Sequence, residues 1–162
     1  MTRHARPGDV DALVSLEHAS FRGDRLTRRS FVRAVSSANA AVLVEVEGAG
    51  LLGYVLLFFR AGSGVARLYS VAVDAAARGR GVGRSLVAAA EREAARRGRT
   101  VMRLEVREDN DASLALFRGS GYREFARTRD YYEDGATALR FEKALGRGGD
   151  ARDRGRSGRK AA

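Results

Sequence analysis

Arg78, Gly81 and Gly83 stand at R-x-x-G-x-G spacing inside VAVDAAARGRGVGRS, the stretch from Val71 to Ser85. A β-branched run opens the stretch, Asp74 turns it, and the Arg/Gly cluster then runs straight into a helical pattern. Glycine lets backbone N–H groups come close to a ligand. A helix start leaves N–H groups unpaired and carries partial positive charge. A strand, a glycine loop and a helix N-terminus in that order therefore suit an anion, best a phosphate or pyrophosphate. Gly79, Arg80, Val82 and Arg84 fill the rest of the loop, and Arg78, Arg80 and Arg84 bring formal charge to it. Two other phosphate motifs are excluded. G-x-G-x-x-G fails at Leu86. G-x-x-x-x-G-K-[ST] fails because Gly83 is followed by Arg84 and the position five before it is Arg78. A plain glycine-rich turn joining strand to helix is the alternative.

Glu105 is the second residue with chemical potential. From Val101 to Arg107 the pattern alternates, with Met102, Leu104 and Val106 pointing one way and Arg103, Glu105 and Arg107 the other. A central strand covered on both faces reads apolar on both, so one face of this strand meets water, a cleft or charge partners. A carboxylate there can accept a proton as a general base. It can equally pair with an arginine across the sheet.

The elements that must carry these residues follow from periodicity. Residues 2–6 read as a short strand, Pro7 to Asp9 as a turn with Asp9 as N-cap, and Val10 to Ala19 as a helix. Thr27 caps a second helix with Phe31 and Val35 inward. Ala41–Glu47, Leu52–Phe59 and Val65–Val73 read as strands joined by turns, hence antiparallel neighbours. The helix after the glycine loop runs from about Val82 to Arg97, buries Leu86, Val87, Ala90 and Ala94, and carries a solvated Glu93–Arg97 pair. Strand, helix and strand in succession favour a parallel partner for Val101–Val106. Asn110 caps a short helix through Phe117, and two closing strands, 122–129 and 137–144, flank the loop DYYEDGA. The sum is an α/β fold with a partly antiparallel sheet.

Composition narrows the function. The 162 residues suit one domain, and 44% hydrophobic content is enough for a core. There is no cysteine, which excludes thiol nucleophiles, disulfides and Cys-based zinc sites, and only His4 and His18 could offer imidazole. No metal site is expected. No apolar run approaches the about 18 residues of a membrane span, and MTRHARPGDVDAL has no apolar signal core. A cytoplasmic location without membrane contact is the expectation. The net charge of +10 rests on 30 basic residues, of which only Lys143 and Lys160 are lysine. That sign permits acidic partners, among them a polyphosphate cofactor, ribosomal RNA or acidic peptides.

The R-x-x-G-x-G stretch resembles the acetyl-CoA pyrophosphate loop of the GNAT superfamily of N-acetyltransferases. LYSVAVD, residues 68–74, is similar to that family's fourth strand. RLEVREDNDASLALFRGSGY, residues 103–122, is similar to its fifth strand and fourth helix. The resemblance runs from Thr2 to Leu145, is strongest from Leu68 to Tyr132, and lies nearest the bacterial ribosomal-protein alanine N-acetyltransferases and related peptide acetyltransferases.

The resemblance implies a domain over residues 1–145 with a mixed, mostly antiparallel central sheet, flanking helices, and splayed fourth and fifth strands. It implies acetyl transfer from acetyl-CoA, as co-substrate, to a primary amine. A peptide or protein N-terminus, ribosomal by analogy, is favoured over a small-molecule amine, and a non-catalytic acyl-CoA-binding module is the other class. Glu105 matches the family glutamate in L-E-V-R. The N–H of Val71 or Val73 would hold the thioester and pantetheine arm, and Asn110 matches an asparagine that contacts the cofactor, besides its N-cap duty. Phe117 stands where the peptide acetyltransferases carry the tyrosine of A-L-Y that protonates the leaving thiolate. Tyr131 or Tyr132 then substitutes, or no acid is needed. Acceptor recognition would rest on the loops Arg22–Leu26 and Asp130–Ala136.

From Gly146 the composition changes to five glycines, six basic residues and two acidic ones, a charge of +4, with no large apolar side chain. Such a segment cannot bury surface and is expected to be disordered. It is either a solvated tail or a nonspecific contact for RNA.

Overall fold

The computed structural model describes residues 1–146. The basic segment expected to be disordered lies, apart from Gly146, outside the described residues. The chain divides into two units, one of Met1–Ala61 with Leu68–Ala90, the other of Gly62–Arg67 with the chain from Glu91 on.

The first unit holds β1 (Thr2–His4), α1 (Val10–Ser20), α2 (Arg28–Ser36), β2 (Ala40–Glu47), β3 (Gly50–Phe59), the later part of β4 (Val65–Val73) and the first turns of α3 (Val82–Arg96). β1 pairs antiparallel with β2, and β2 with β3 from Ala40↔Phe58 to Glu47↔Gly50. The turn between β2 and β3 uses Gly48 at φ +60, a left-handed conformation that favours glycine. Residues 40–44 of β2 and 54–57 of β3 are apolar and buried on both faces. On one, Val42, Val44, Tyr54 and Leu56 pack with Leu13 and Leu16 of α1 and Phe31 of α2. Thr27 caps α2 as expected, its Oγ1 accepting the Ser30 N–H at 3.1 Å.

Asp9 does not cap α1 as expected. Pro7–Asp9 forms a 3-10 turn that runs directly into the helix, so Asp9 already has helical backbone angles. Its carboxylate turns back instead. It accepts two hydrogen bonds from the Arg3 guanidinium, at 2.7 and 3.0 Å, and one from the Arg6 N–H at 2.7 Å. Arg3 holds that carboxyl below the usual carboxylate range.

Gly53 decides how closely β3 meets its neighbours. A Cβ there would stand 2.8 Å from the Ala72 carbonyl oxygen of β4, and 2.9 Å from Leu86 and 3.2 Å from Val82 of α3. The absent side chain lets the first turn of α3, which follows the glycine loop, seat directly on the sheet.

The second unit holds the start of β4, the rest of α3, β5 (Val101–Arg107), α4 (Asp111–Gly119), β6 (Arg123–Thr128) and β7 (Ala138–Ala144). β5 pairs parallel with β4 from Val65↔Val101 to Arg67↔Arg103, a ladder only three residue pairs long, as expected of splayed strands. It pairs antiparallel with β7 along its whole length, and β6 flanks β7. The strand order is β1-β2-β3-β4-β5-β7-β6, mixed and mostly antiparallel. The solvated Glu93–Arg97 pair is corrected. Glu93 is only 6% exposed and contacts both Arg96 and Arg97, the latter at 3.0 Å. The two guanidinium groups replace the water that the carboxylate gives up.

Gly53→Ala is expected to destabilise the protein by roughly 1–3 kcal/mol, because backbone cannot retreat from the added methyl. At Gly50 the nearest atom to a new Cβ is 3.4 Å away, so Gly50→Ala serves as a control with a far smaller effect. Thermal melts of both variants check this, and equal melting temperatures would contradict it.

Candidate active site

In the first unit, β4 ends at Val73 and Asp74 caps a 3-10 turn over Ala75–Ala77, its carboxylate accepting the Ala76 N–H at 2.8 Å. The Asp74 N–H is fixed in turn by the Leu52 carbonyl at 2.8 Å. The chain then needs left-handed backbone at two places, Gly79 and Gly81, both at φ +78. A Cβ at either would meet nothing within 4 Å, so the backbone there faces open space. The Ser85 N–H closes on the Gly81 carbonyl at 3.0 Å as the first helical bond. The N–H groups of Val82, Gly83 and Arg84 therefore lie in the unpaired first turn of α3. Arg78 and Arg84 are exposed and make no ion pair among the described residues, whereas Arg80 is tied to Glu47. Two glycines shaped by turn geometry, free N–H groups and two unengaged guanidinium groups fit an anionic ligand. Val71 and Val73 sit half-buried at the end of β4 just before this loop.

A pocket of about 260 Å³ opens against the same loop, with Glu45, Glu47, Leu52, Arg80 and Val82 in its walls. Two carboxylates and an arginine already paired with one of them make it a poor holder of phosphate. Gly81 lies in the same wall, so the glycine loop borders this pocket.

In the second unit, the charged face of β5 gathers a different set. The Glu105 side chain is 16% exposed and lies between two guanidinium groups, Arg67 Nη2 at 3.3 Å and Arg140 Nε at 3.7 Å. Strand register puts them there. Arg140 is the residue directly opposite Glu105 on β7, and Arg67 ends the parallel ladder of β4 with β5. Arg67 Nη2 also donates to the Tyr131 hydroxyl at 3.2 Å. Tyr131 and Tyr132 meet edge to face with ring centres 5.0 Å apart. Arg107 lies over the Tyr132 ring at 5.4 Å and is held by Asp109 at 2.8 Å and by Asp134 at 3.0 Å. Arg107 keeps the Asp134 carboxyl below its ordinary range. Burial, with the neighbouring Tyr131 and the Glu105 charge, pushes the Tyr132 hydroxyl up to about 12.

The tyrosines owe their positions to a loop closed on itself. Asp130 takes φ +53 and Gly135 φ +83, and the N–H groups of Tyr131 and Tyr132 both reach the Ala136 carbonyl, at 3.2 and 3.3 Å. Asn110 does cap α4, its Oδ1 accepting the Ser113 N–H at 3.1 Å. Phe117 is 3% exposed and packs edge-on against Tyr122, with ring centres 5.5 Å apart.

Of the residues singled out from the sequence, the second unit joins Glu105, Tyr131 and Tyr132 through Arg67. Asn110 and Phe117 lie on α4 of the same unit. Val71, Val73 and Arg78 to Arg84 belong to the first. Sequence reasoning placed Arg107 on the polar face of β5 with Glu105 but missed Arg67 and Arg140. Their signal was the two-residue alternation of β4 and β7, which names partners only once the register is known.

Residues 10–122 match the model described as Acetyltransferase (GNAT) family. The chain belongs to this family and is an N-acetyltransferase. It is similar to N-alpha-acetyltransferase RimI of Mycobacterium tuberculosis, with 33% identity over 153 residues, 85% of this chain and 88% of that protein. An uncharacterized protein of Mycobacterium leprae is 34% identical over 142 residues, 82% of this chain, and this chain spans 37% of its length. Among solved structures, the ribosomal-protein-alanine N-acetyltransferase of Brucella melitensis superposes with a TM-score of 0.77 at 27% identity, over 90% of this chain and 99% of that one. GNAT acetyltransferases use acetyl-CoA as co-substrate. Among the described residues no cluster of three His, Cys, Asp or Glu could hold a metal ion, and no helix is long and apolar enough to cross a membrane.

Gly81 separates backbone strain from ligand binding. Any side chain at φ +78 strains the turn by roughly 1–2 kcal/mol, so Gly81→Ala and Gly81→Glu should lower the melting temperature alike. Only the glutamate adds negative charge beside Arg78 and Arg84. Calorimetric titration with coenzyme A should therefore show a much larger loss of affinity in Gly81→Glu than in Gly81→Ala, and equal affinities would contradict an anion site at this loop.

Proposed function

We propose that this chain moves an acetyl group from acetyl-CoA to the N-terminal α-amine of a peptide or protein, with a ribosomal protein as the acceptor by analogy. A cytoplasmic location goes with this reading. The observation that carries it is the position of Glu105 beside two tyrosines on the charged face of β5, while Arg67 and Arg140 give it the cross-sheet pairing that is the alternative to a base. The match in identity and length to RimI of Mycobacterium tuberculosis supports the choice of acceptor.

The open loop from Arg78 to Arg84 would hold the pyrophosphate, and the N–H of Val71 or Val73 would hold the thioester end. An ammonium has no lone pair, so the acceptor must first lose a proton. Glu105, directly or through one water, would take it. The neutral amine nitrogen then attacks the acetyl carbonyl carbon, the C–N bond forms, the C–S bond breaks with its electron pair leaving on sulfur, and the second N–H proton passes from the nitrogen through water to the thiolate or to solvent. Arg67 and Arg140 steady the carboxylate through this exchange. Asn110 spends its Oδ1 on the helix cap and keeps its amide N–H₂ for the cofactor.

Phe117 has no proton to give to the thiolate. A thiol of reference pKa about 8.5 leaves readily near neutral pH, whereas the amine is harder to deprotonate. Tyr132, with its hydroxyl raised to about 12, is a weak acid. Tyr131, on the Arg67 guanidinium, is the better placed of the two. The basic segment beyond Gly146 would add attraction for ribosomal RNA.

Glu105→Gln keeps the size and loses the base, so turnover with a peptide acceptor near pH 7 should fall by ~10²–10⁴. The deficit should narrow as pH passes the α-amine range of about 8. Tyr132 stays protonated until about pH 12, so it contributes no descending limb between pH 8 and 10. Phe117→Tyr should alter turnover by less than about tenfold, or ~1.4 kcal/mol of barrier. Full pH–rate profiles of both variants check this. Wild-type turnover in Glu105→Gln near neutrality would remove Glu105 from the chemistry, and a hundredfold gain in Phe117→Tyr would show that thiolate protonation limits the enzyme.

A further inference from the structure

Glu17 lies in the last turns of α1, where a glutamate would ordinarily face water, yet it is 2% exposed. A buried carboxylate is expensive unless its oxygens are satisfied. Here Oε2 accepts the Leu26 N–H at 2.7 Å and Oε1 accepts the Tyr54 hydroxyl at 2.5 Å. Burial pushes the carboxyl up, and the two donors, together with Arg25, oppose that. Tyr54 is fully buried on β3, and its hydroxyl also meets Ser70 Oγ of β4 at 2.8 Å.

The same residue closes the loop after α1 at both ends. The Glu17 carbonyl accepts the Phe21 N–H at 3.0 Å where the loop begins, and its carboxylate accepts the Leu26 N–H where it ends. Between them Arg25 Nε turns back onto the Phe21 carbonyl and Asp24 takes φ +45. Arg22 to Arg25 are exposed. A loop with polar, charged side chains outward and its two ends fixed from beneath has its shape set by one buried group.

We propose that Glu17 is the positioning residue for acceptor recognition. Its carboxylate fixes the Arg22–Leu26 loop that would meet the acceptor and, through Tyr54, ties that loop to Ser70, the neighbour of Val71 on β4. This rests on the reading of the chain as a peptide N-terminal acetyltransferase. The bland role, a satisfied buried acid that only adds stability, would not favour one substrate over the other.

The test uses the full chain with Glu17→Gln and Tyr54→Phe, read by amide hydrogen exchange over residues 21–27 and by separate KM values for acetyl-CoA and one good peptide. A glutamine keeps one acceptor and turns an N–H₂ toward a donor. Glu17→Gln should speed loop exchange by about tenfold. It should also raise the peptide KM by about fivefold or more, with the acetyl-CoA KM within about twofold. Tyr54→Phe leaves the Leu26 bond in place and should leave loop exchange unchanged. Unchanged exchange in Glu17→Gln, or both KM values rising together, would overturn the proposal. Should Glu17→Gln fail to fold, Glu17→Asp keeps the charge on a shorter arm and is read the same way. A wild-type protein that acetylates no peptide would instead defeat the functional reading, while the exchange data would still decide whether Glu17 holds the loop.

Discussion

β5 must be apolar on one face and charged on the other, and the second unit depends on that division. Met102, Leu104 and Val106 are almost wholly buried, each contributing about 1.5–3 kcal/mol by leaving water. A slip of one residue would drive Glu105 into the core and Leu104 out of it. The register that gives the unit its stability therefore also fixes the carboxylate. Full-length pairing with β7 then delivers Arg140 opposite Glu105, and the three-pair ladder with β4 delivers Arg67. The chemistry and the packing are two faces of one strand.

The ion pairs on that face define geometry more than stability. Arg67, Arg140, Arg103 and Arg107 are each at least about a third exposed, where such pairs are worth little to folding. Their effect is to aim side chains. Glu142 takes both Arg103 and Arg123, while Asp109 and Asp134 share Arg107, so these arginines do not compete with Arg67 and Arg140 for Glu105. In the first unit the corresponding constraint is backbone. Gly53 lets α3 sit down on β3, and Gly79 and Gly81 let the preceding loop turn without strain. One unit places charge by strand register, the other by the absence of side chains.

These two devices differ in how far they can be read from sequence. Glycines in a loop, the alternation of β5, the Thr27 cap and the Asn110 cap are local, and each was legible in the residues themselves. The arginines flanking Glu105 were not, because they come from strands 38 and 35 positions away in the chain and depend on pairing that no short window contains. Gly53 was hidden inside an apolar run, where its lack of a side chain matters only against β4 and α3. Glu93 read as solvent-facing, and nothing singled out Glu17, because helical spacing predicts which face is turned inward but not whether a hydroxyl, an amide or two guanidinium groups wait there. Asp9 stood at an N-cap position, and a 3-10 turn carried it past that role. The family resemblance added what spacing could not, a class of reaction, and its expected fold is the one observed.

The most direct measurement is mass spectrometry of a peptide that carries both a free N-terminus and a lysine, incubated with the full chain and acetyl-CoA. Fragment ions should place a single acetyl group on the α-amine, dependent on acetyl-CoA and on Glu105, with the lysine unmodified. Acetylation of the lysine alone, or of neither amine while small amines are turned over, would contradict an N-terminal acetyltransferase.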